Sequence, residues 1–333
     1  MRKSFVFLLF CTLPLCGQVK LTPGQEQIPV EIDGKPFTVF IVAGKDVNRP
    51  YLYPLLSASG RVLTRSFPAG QIPGESVDHP HQAGLFYGHG DVNGYSYWGI
   101  QNVPAVPSQR GASKRGRIVL KKLVSVKGGQ KAGAIDAIFD WLAPDGRPIM
   151  TEGRKMTFHS DPKLRIIDFD FDFGAIDRVV FRDTKEGTFA IRLATVLEEP
   201  HIKVIDHPDA KDGVVRTGKL VNAQGAEREE NVWGKRSEWV DYSGVVDGEK
   251  VGVTMMDHPS NPRYPTYWHS RAYGLHSVNP FGVSDYLNDK TKDGSMTIEP
   301  GQHARFLYRV VIHPGDAKAV NIAALYRQFA ATK

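Results

Sequence analysis

The sequence predicts an all-β protein in which two antiparallel sheets pack as a large sandwich, with one short helix at the C-terminus. Three observations lead to this fold class. Hydrophobic and polar residues alternate with a period of two along nearly the whole chain after its N-terminal segment. The 33 Gly and 22 Pro favour many turns. Only residues 317–330 show a helical pattern, and Asp316 is the expected N-cap of that helix.

The N-terminal segment has the pattern of a secretory signal. Arg2 and Lys3 precede an apolar run at residues 5–15, which is too short to span a bilayer. We expect residues 1–17 to be a cleaved signal peptide, which predicts a periplasmic or secreted protein. Cys16 also suggests a lipoprotein, but the bulky leucine before it disfavours lipidation.

The rest of the chain, residues 18–333, shows no shift in composition and no linker, so we expect a single β-sandwich domain. Both cysteines, Cys11 and Cys16, lie inside the predicted signal peptide. The mature protein is therefore expected to have no disulfide and no thiol chemistry. A formal charge of +6 is small for a chain of 333 residues. The charge and the lack of a spanning segment predict neither a nucleic-acid partner nor a membrane span.

Strands are expected wherever the alternation is clear, and Asp-Gly turns separate several of them. Asp33-Gly34, Asp145-Gly146 and Asp247-Gly248 each mark a reversal between two alternating runs. The predicted strands, in chain order, lie at residues 28–32, 37–41, 118–126, 134–141, 150–158, 164–173, 188–197, 237–242, 251–256 and 304–312.

The run at 164–173 has the clearest alternation. Its aromatic and aliphatic residues point to one face, and Asp168, Asp170 and Asp172 point to the other. We expect the aspartate row to face a basic neighbouring strand, although carboxylates in a row also suit calcium. A basic run from Arg110 to Lys122 is expected to be a solvated loop that leads into an edge strand.

Three regions break the strand rhythm, at residues 64–110, 198–236 and 257–294, and they hold nearly all the histidine and tryptophan. Loops of this length in a compact domain are usually functional. The first region contains a cluster that begins at Asp78-His79-Pro80-His81, and the third contains a similar cluster that begins at Asp257-His258-Pro259. We predict that these two polar-aromatic clusters meet in one site.

The proposed chemistry is proton transfer, because imidazole titrates near neutral pH. His81 and His269 are the predicted proton carriers, and Glu186 is the predicted carboxylate partner. The alternative is structural: Asp-His-Pro is then a turn element whose Asp accepts a backbone N–H, and this suits His79 and His258. The isolated tripeptide Asp206-His207-Pro208 supports that alternative.

Binding residues are expected among aromatic, cationic and amide side chains near the clusters. Planar aromatics stack on sugar rings, and charged or amide groups orient hydroxyl and carboxylate oxygens. The predicted substrate-binding residues are Trp98, Arg192, Lys235, Arg236, His258, Asn261, Trp268 and Asn279.

A divalent metal is a further possibility at the first cluster. His79 and His81 share a face if that segment is extended, and His89 and Asp91 follow closely in the chain. These four residues are of types that bind divalent metals. No cofactor is otherwise predicted.

Three segments resemble a known family. DHPHQAGLFYGHGDVNGYSYWG, WGKRSEWVDYSG and DHPSNPRYPTYWHSRAYGLHSVNPFG look like the secreted bacterial DUF6807 family, often labelled "methane oxygenase PmoA". The resemblance covers most of the mature chain. It implies a β-sandwich similar to galactose mutarotase-like supersandwiches, which are common among proteins that bind or process carbohydrates. It carries no assignment of catalytic residues.

These observations lead to a ranked set of functions. The first is an exported carbohydrate-active enzyme, a hydrolase, lyase or epimerase, whose partner is a sugar or glycoside. The second is a non-catalytic carbohydrate-binding protein of the envelope, which keeps the aromatics but needs no titrating histidine. The third is a metal-dependent oxygenase, as the family label suggests.

Overall fold

The computed structural model describes residues 17–45, 47–99, 114–200 and 213–332. Within these ranges the chain forms twenty strands, two one-turn helices, a 3₁₀ turn at Thr195–Leu197 and one longer helix. The helices are α1 (Glu229–Val232), α2 (Val283–Tyr286) and α3 (Ile322–Ala330). The strands are β1 (Gln18–Leu21), β2 (Gln27–Ile32), β3 (Lys35–Ile41), β4 (Tyr51–Leu52), β5 (Leu85–His89), β6 (Tyr95–Ser96), β7 (Lys114–Arg115), β8 (Arg117–Lys127), β9 (Gly129–Gln130), β10 (Ala132–Leu142), β11 (Pro148–His159), β12 (Arg165–Ala175), β13 (Val179–Phe181), β14 (Gly187–Arg192), β15 (Lys219–Asn222), β16 (Trp239–Val246), β17 (Glu249–Asp257), β18 (Leu275–Val278), β19 (Met296–Ile298) and β20 (His303–Pro314).

Two antiparallel sheets of eight strands each make up the sandwich. The first sheet has the order β18-β14-β5-β4-β3-β2-β1-β9, and the second has the order β15-β16-β17-β20-β12-β11-β10-β8. Two small two-stranded sheets, β13-β19 and β6-β7, are also present. The predicted fold class, a large antiparallel two-sheet sandwich with one short C-terminal helix, is confirmed.

The inner faces of the two sheets share one hydrophobic core that is rich in aromatic rings. Phe171 of β12 is fully buried. Its ring centroid lies 4.7 Å from that of Tyr87 in β5 and 5.5 Å from that of Phe189 in β14. Side chains alternate between the two faces of a strand. Because Phe189 points into the core, the residues on either side of it in β14 face the outer side of the first sheet.

The outer face of β12 carries the predicted ladder of ion pairs. Asp168 accepts hydrogen bonds from Arg309, Asp170 from Arg305, and Asp172 pairs with His303. All three partners lie on β20, which pairs with β12 in antiparallel register. The expectation of a basic neighbouring strand is therefore confirmed.

The three predicted loops contain regular structure that the alternation did not reveal. β5 lies in the first loop region and β18 in the third, and every residue of both strands is buried. A strand buried on both faces shows no polar alternation, so period-two analysis overlooks it.

The C-terminal helix begins later than predicted. It starts at Ile322, and its N-cap is Asn321, whose side chain accepts a hydrogen bond from the Ala324 N–H. Asp316 is not the N-cap. Its carboxylate instead accepts hydrogen bonds from the N–H groups of Lys318 and Ala319 in the turn before the helix.

The lysine-rich strand β8 forms one edge of the second sheet, as expected. Exposed lysines on an edge strand oppose pairing with another sheet. Arg110, at the start of the basic run, lies outside the described residues, as do Asp206-His207-Pro208 and residues 1–16. Among the helices of the described ranges, none has the length and apolar character needed to cross a membrane.

Candidate functional site

The candidate site lies on the outer face of the first sheet, above the neighbouring strands β5, β14 and β18. Phe86, Ala190 and Leu275, one from each strand, form a small apolar layer there together with Trp98 and Tyr273. The segments that precede each of these strands fold over this layer. They carry the histidines and the glutamate that the sequence singled out.

His79 and Asp78 form a pair at the entrance to this layer. The His79 Nδ1 atom makes a short hydrogen bond to Asp78 Oδ2, and the His79 ring stacks on Tyr273 with centroids 5.0 Å apart. The side chain of His79 is 36% exposed. The carboxylate orients the ring, so the other imidazole nitrogen is left for a ligand.

Two buried arginines hold Asp78 in place. Arg65 and Arg192 each donate to Asp78 Oδ1, at 2.6 and 2.7 Å. Burial would raise the pKa of Asp78, but the charge of Arg192, the hydrogen bond from His79 and the charge of Arg65 outweigh it and lower the pKa well below the usual range. Asp78 is therefore a fixed anion rather than a proton donor.

His81 lies behind His79, deeper in the layer. Its ring lies 5.6 Å from that of His79 and 6.3 Å from that of Trp98, measured between centroids. Arg49 donates to the backbone carbonyls of His81 and Trp98 and thus ties the two segments together. His81 Nε2 and Trp98 Nε1 are buried and have no hydrogen-bond partner among the described residues. Burial lowers the pKa of His81 well below the usual value.

Glu186 directly precedes β14. Its backbone carbonyl accepts a hydrogen bond from the Gly90 N–H, while its carboxylate makes no hydrogen bond to the described residues. Burial raises the pKa of Glu186, and the charges of Lys185, His79 and Arg271 offset only part of that effect. A raised carboxyl pKa near a cluster of cations is typical of an acid–base residue.

His269 comes from the segment before β18. Its backbone N–H donates to Ser277 O at 2.8 Å, which fixes the segment beside the strand. Trp233 Nε1 donates to His269 Nδ1 at 3.1 Å, so the proton of the neutral ring is on Nε2. Burial lowers the pKa of His269 well below the usual value, and the charges of Arg271, Lys185 and His79 add to this effect. His269 is therefore a neutral N–H donor at neutral pH.

Helix α1 positions the opposite wall of the site. Glu229, in this helix, accepts a 2.7 Å hydrogen bond from Arg271 Nε and a short one from the Ala272 N–H. Arg271 in turn lies 5.3 Å from the centre of the Tyr273 ring. These bonds hold the chain reversal before β18, and with it the aromatic surface on which His79 stacks.

The structure brings the two sequence clusters together. The His79 ring, from the first cluster, stacks on Tyr273 of the third loop region, with centroids 5.0 Å apart. The charge of His79 also acts on the pKa of Glu186 and on that of His269. Five of the predicted residues belong to this site or line it: His79, His81, Trp98, Glu186 and His269. His79 rather than His81 has the accessible position.

Three predicted substrate-binding residues are fully buried and hold the scaffold instead. Trp268 belongs to the central core and donates from Nε1 to Ser237 O, so neither face of its indole can stack on a sugar. Arg192 binds Asp78 and Gln82. Asn279 donates to the carbonyls of Thr184 and Lys185 and accepts from the Phe281 N–H. The prediction that these three bind substrate was wrong, because each one's polar atoms are largely used inside the protein.

Two further predicted residues lie at the second sheet. His258 packs against Phe329 of α3, with centroids 5.0 Å apart. Asn261 bonds to Asp257 and to both backbone groups of Leu307 in β20. The prediction that they contact the same ligand was wrong. The Asp257 carboxylate also accepts the Thr266 N–H, as expected for the structural alternative at this motif.

Arg236 and Lys235 also differ from expectation. Arg236 donates to the backbone carbonyls of Arg263, Tyr264 and Pro265, so its guanidinium stabilises the turn at those residues. It does not point to the candidate site as a free cation. Lys235 is exposed, and it makes no ion pair with any residue that the structure describes.

The predicted metal ligands do not assemble. His89 is buried between Phe181 and Phe281, and its Nε2 atom bonds to Arg182 O at 2.8 Å. Asp91 Oδ1 accepts the Gly94 N–H. Across the described ranges, no group of three or more His, Cys, Asp or Glu side chains is placed to hold a metal ion. The grouping of His79, His81, His89 and Asp91 was therefore wrong, because His89 points into the core between Phe181 and Phe281, while His79 and His81 pack with Trp98 over the other face of β5.

Sequence reasoning missed several residues that the site uses. Only the fold shows what four of these residues contact: Asp78, Tyr273 and Trp233, which lie in the segments that resemble the family, and Lys185, which lies beside a predicted strand. The doublet Asp78-His79 was a usable signal, since a carboxylate next to a histidine is a common orienting pair.

These features define a class of protein: a two-sheet β-sandwich with titratable side chains and aromatic rings on the outer face of one sheet. The particular family follows from sequence comparison. Residues 27–327 match the model of DUF6807, a family of unknown function, and the chain belongs to that family. No curated protein sequence matches the chain.

Solved structures with a similar fold include enzymes that act on carbohydrates. The galactose 1-epimerase of Lactobacillus acidophilus NCFM aligns over 89% of this chain and 98% of its own, with a TM-score of 0.40 and 8% identity. The GH36 α-galactosidase AgaA of Geobacillus stearothermophilus aligns over 90% of this chain and 40% of its own, with a TM-score of 0.37 and 9% identity. The heparan sulfate lyase HepC mutant of Pedobacter heparinus aligns over 94% of this chain and 38% of its own, with a TM-score of 0.32 and 9% identity.

The chain thus spans about two fifths of the α-galactosidase and of the lyase. At these scores and identities the similarities carry no information about the residues or the activity of this chain.

Proposed function

We propose that the protein is an exported carbohydrate-active enzyme that transfers protons on a sugar, as an epimerase or a lyase does. The proposal rests on two groups, Glu186 and His269, whose pKa values are both affected by the charges of His79 and Arg271. Glu186 has a carboxylate without a hydrogen bond to the described residues and a raised pKa. His269 is a neutral imidazole whose tautomer is set by Trp233. The carboxylate accepts a proton, and the imidazole donates a hydrogen bond.

The buried polar atoms of the site fit a ligand rich in hydroxyl groups. His81 Nε2 and Trp98 Nε1 have no partner among the described residues. An unpaired buried polar group costs about 1–3 kcal/mol, so a ligand or water that bonds to these atoms recovers that energy. The His79 ring, which stacks on Tyr273 and whose side chain is 36% exposed, offers a planar surface of the kind that sugar rings pack against.

The carboxylates near the site favour proton transfer over glycoside hydrolysis. Hydrolysis ordinarily uses two carboxylates that flank the scissile bond. Among the described residues of this site, Asp78 is held by two arginines and Glu229 by Arg271, and only Glu186 has a carboxylate without a hydrogen bond. One carboxylate and one neutral imidazole are sufficient to remove a proton from carbon or oxygen and to stabilise the negative charge that develops on an oxygen.

In the proposed reaction the Glu186 carboxylate removes a proton from the substrate, and His269 Nε2–H stabilises the negative charge that develops on a substrate oxygen. His79, oriented by Asp78, holds a neighbouring hydroxyl. In an epimerase that acts at the anomeric carbon, Glu186 removes the O1 proton, the C1–O5 bond breaks, and His269 Nε2–H stabilises the negative charge on O5. After rotation about the C1–C2 bond, O5 attacks the other face of C1, the ring closes, and Glu186 returns the proton to O1. In a lyase Glu186 removes a proton from carbon, the electron pair forms a double bond as the glycosidic C–O bond breaks, and Glu186 gives the same proton to the leaving oxygen.

The test is turnover on a panel of free aldoses and of uronate-containing oligosaccharides, with product analysis to separate epimerisation from elimination. Glu186→Gln is expected to lower kcat by about 10²–10⁴-fold, which is the usual contribution of a general acid or base. Ligand affinity should stay within about tenfold of the wild type. Glu299→Gln, which changes an exposed carboxylate bound to Arg178, is the matched control and should leave kcat unchanged.

Wild-type turnover in Glu186→Gln would exclude Glu186 as the base. Saturable sugar binding with no turnover on any substrate would instead identify the non-catalytic carbohydrate-binding protein. Export is tested separately: the N-terminal sequence of protein isolated from the periplasm or medium should begin near Gln18, and full-length protein retained in the cytoplasm would contradict the proposal.

A further inference from the structure

A second cavity lies on the other side of the sandwich, at the outer face of the second sheet. It has a volume of about 310 Å³, and its walls come from β15, the β16–β17 hairpin and the segment after β20. A volume of this size is at the lower end of the range for small-molecule sites. None of the residues proposed for proton transfer lines it.

A buried ion pair forms part of the wall of this cavity. Asp241 lines the cavity, and its side chain is fully buried. Its Oδ1 atom accepts hydrogen bonds from Thr254 Oγ1 at 2.7 Å and from His313 Nε2 at 2.8 Å. His313 Nδ1 also donates, to Pro314 O at 3.2 Å. Both ring nitrogens therefore act as donors, and the histidine is in its charged form.

The other carboxylate oxygen of Asp241 has no partner. Oδ2 is buried and accepts no hydrogen bond from the described residues. A carboxylate can only accept, so this oxygen requires a donor from a water or a ligand. Ser243 lies two residues further along β16, on the same face of the strand as Asp241, and also lines the cavity.

The rim of the cavity carries three lysines and two carboxylates, Glu227 and Asp316, and two of the lysines form no ion pair within the described chain. Lys250 and Lys318 line the rim, are exposed and form no ion pair with the described residues. Lys219, on the same rim, is already paired with Glu227 at 2.6 Å. Asp316 also lines the rim, but its carboxylate accepts two backbone N–H groups.

We infer that this cavity is a second ligand site that binds a small hydroxylated carboxylate of the size of a monosaccharide acid. A ligand hydroxyl donates to Asp241 Oδ2, and the ligand carboxylate pairs with Lys250 and Lys318. The buried acceptor demands a donor, and the rim favours an anion. A single ligand satisfies both when it carries a hydroxyl at one end and a carboxylate at the other.

The experiment is a calorimetric titration of the full chain with D-glucuronate, with D-glucose as the neutral probe. The double variant Lys250→Gln/Lys318→Gln should weaken glucuronate binding by at least about tenfold, equivalent to about 1.4 kcal/mol. The matched control Lys122→Gln/Lys127→Gln removes the same charge from the edge strand β8 and should leave the affinity unchanged. Glucose should bind at least about tenfold more weakly than glucuronate.

A third variant separates the two sites. Glu186→Gln should leave unchanged the part of glucuronate binding that the double lysine variant removes, whether or not the proposed enzyme activity is real. Loss of that lysine-dependent binding in Glu186→Gln, equal loss in the β8 control, equal affinity for glucose, or absence of saturable binding would each overturn the second site. Asp241→Asn should also weaken binding, and the lysine variants remain decisive if Asp241→Asn fails to fold because His313 loses its partner.

Discussion

Glu186 and His269 have pKa values that burial moves in opposite directions. Burial penalises the charged form of each group, so the pKa of the carboxyl group rises and that of the imidazole falls. The two side chains consequently remain a potential base and a neutral donor over the same range of pH. An exposed pair of the same residue types would lack this separation of roles.

The pH dependence of turnover follows from these directions. Glu186 acts as a base only when ionised, so kcat should fall as the pH drops through its raised pKa. The midpoint of the acidic limb is expected above about pH 4.3, because 4.3 is the ordinary pKa of a glutamate side chain. Burial holds the pKa of His269 well below 6.5, so it should add no limb at neutral or alkaline pH. A pH–kcat profile checks this, and an acidic limb at or below the ordinary glutamate value would contradict the assignment.

Asp241 and His313 form a buried pair that links stability to pH. Burial alone would lower the pKa of His313, but the hydrogen bond and the charge of Asp241 outweigh it and raise the pKa. For Asp241, burial acts to raise the pKa, and the bond and charge of His313 outweigh it and lower the pKa. Each group is therefore held in its charged form by the other.

The free energy of unfolding should vary with pH in a predictable direction. The contribution of His313 is complete below the unfolded value of about 6.5 and is lost as the pH rises through the raised folded pKa. The contribution of Asp241 is complete above its unfolded pKa of about 3.9 and is lost as the pH falls through the lowered folded pKa. Urea unfolding of the wild type from neutral to alkaline pH should show the first loss.

The variant His313→Gln should abolish that alkaline loss, because glutamine does not titrate. His159→Gln is the control, since His159 pairs with Asp168 on the partly exposed outer face. It should retain the alkaline loss of the wild type. Identical pH dependence in His313→Gln and the wild type would contradict the proposed linkage.

The turn before β14 shows how a strand positions a functional side chain. Asn279 follows β18 and donates to the carbonyls of Thr184 and Lys185, directly before Glu186. A buried amide with three hydrogen bonds therefore connects the ends of two neighbouring strands. The position of Glu186 depends on this connection more than on any contact of its own carboxylate.

Asn279→Ala should lower both stability and turnover. Loss of the amide removes two hydrogen bonds, at a cost of about 0.5–1.5 kcal/mol each. Displacement of the Glu186 turn should lower kcat by between about tenfold and about a hundredfold. The control is Asn222→Ala, because Asn222 is also buried and its side chain accepts from the N–H groups of Gln224 and Ala226.

Asn222→Ala should reduce the free energy of unfolding but leave kcat unchanged, since Asn222 lies in β15 of the second sheet. Chemical denaturation and steady-state kinetics on both variants provide the comparison. Equal losses of kcat in both variants would mean that Asn279 affects activity only through global stability.

The two sheets depend on a shared aromatic core that draws on strands from all parts of the chain. Phe171 packs against Tyr87, Phe189 and Tyr308, which come from β5, β14 and β20. The first and third of these strands lie more than two hundred residues apart in sequence. The site on the outer face of β5 and β14 therefore rests on contacts made across the whole sandwich.

Phe171→Ala should destabilise the molecule by about 3–5 kcal/mol, the usual cost of removing a buried phenylalanine. Val124→Ala is the comparison, because Val124 is 45% exposed on the edge strand β8 and should change stability by less than about 0.5 kcal/mol. Thermal and urea unfolding measure both. A loss below about 1 kcal/mol in Phe171→Ala would show that the sheets do not share one tightly packed core.

Much of the fold was predictable from local pattern. In a strand with one buried and one solvated face, hydrophobic and polar residues alternate along the sequence. For this reason β10, β11 and β12 were predicted close to their observed positions. The row of aspartates on β12 predicted a basic neighbouring strand, because negative charges side by side on one face of a sheet repel one another unless positive side chains lie opposite them. β5 and β18 could not be predicted in this way, because both of their faces are covered.

The candidate site was predictable in part. Composition and clustering indicated which loops carry the histidines and which carboxylate lies nearby. They did not distinguish His79, which is accessible, from His81, which is buried. Nor did they show that Trp268, Arg192 and Asn279 are used inside the protein.

Local sequence was sufficient to predict alternating strands, turns and the residue types available for chemistry, because these depend on neighbours a few positions away. The contacts of each polar side chain were decided by tertiary structure. Burial, pKa and hydrogen-bond satisfaction depend on groups brought together across long separations, as for Asp78 with Arg192 and for Trp233 with His269. No periodicity in the chain encodes those pairings.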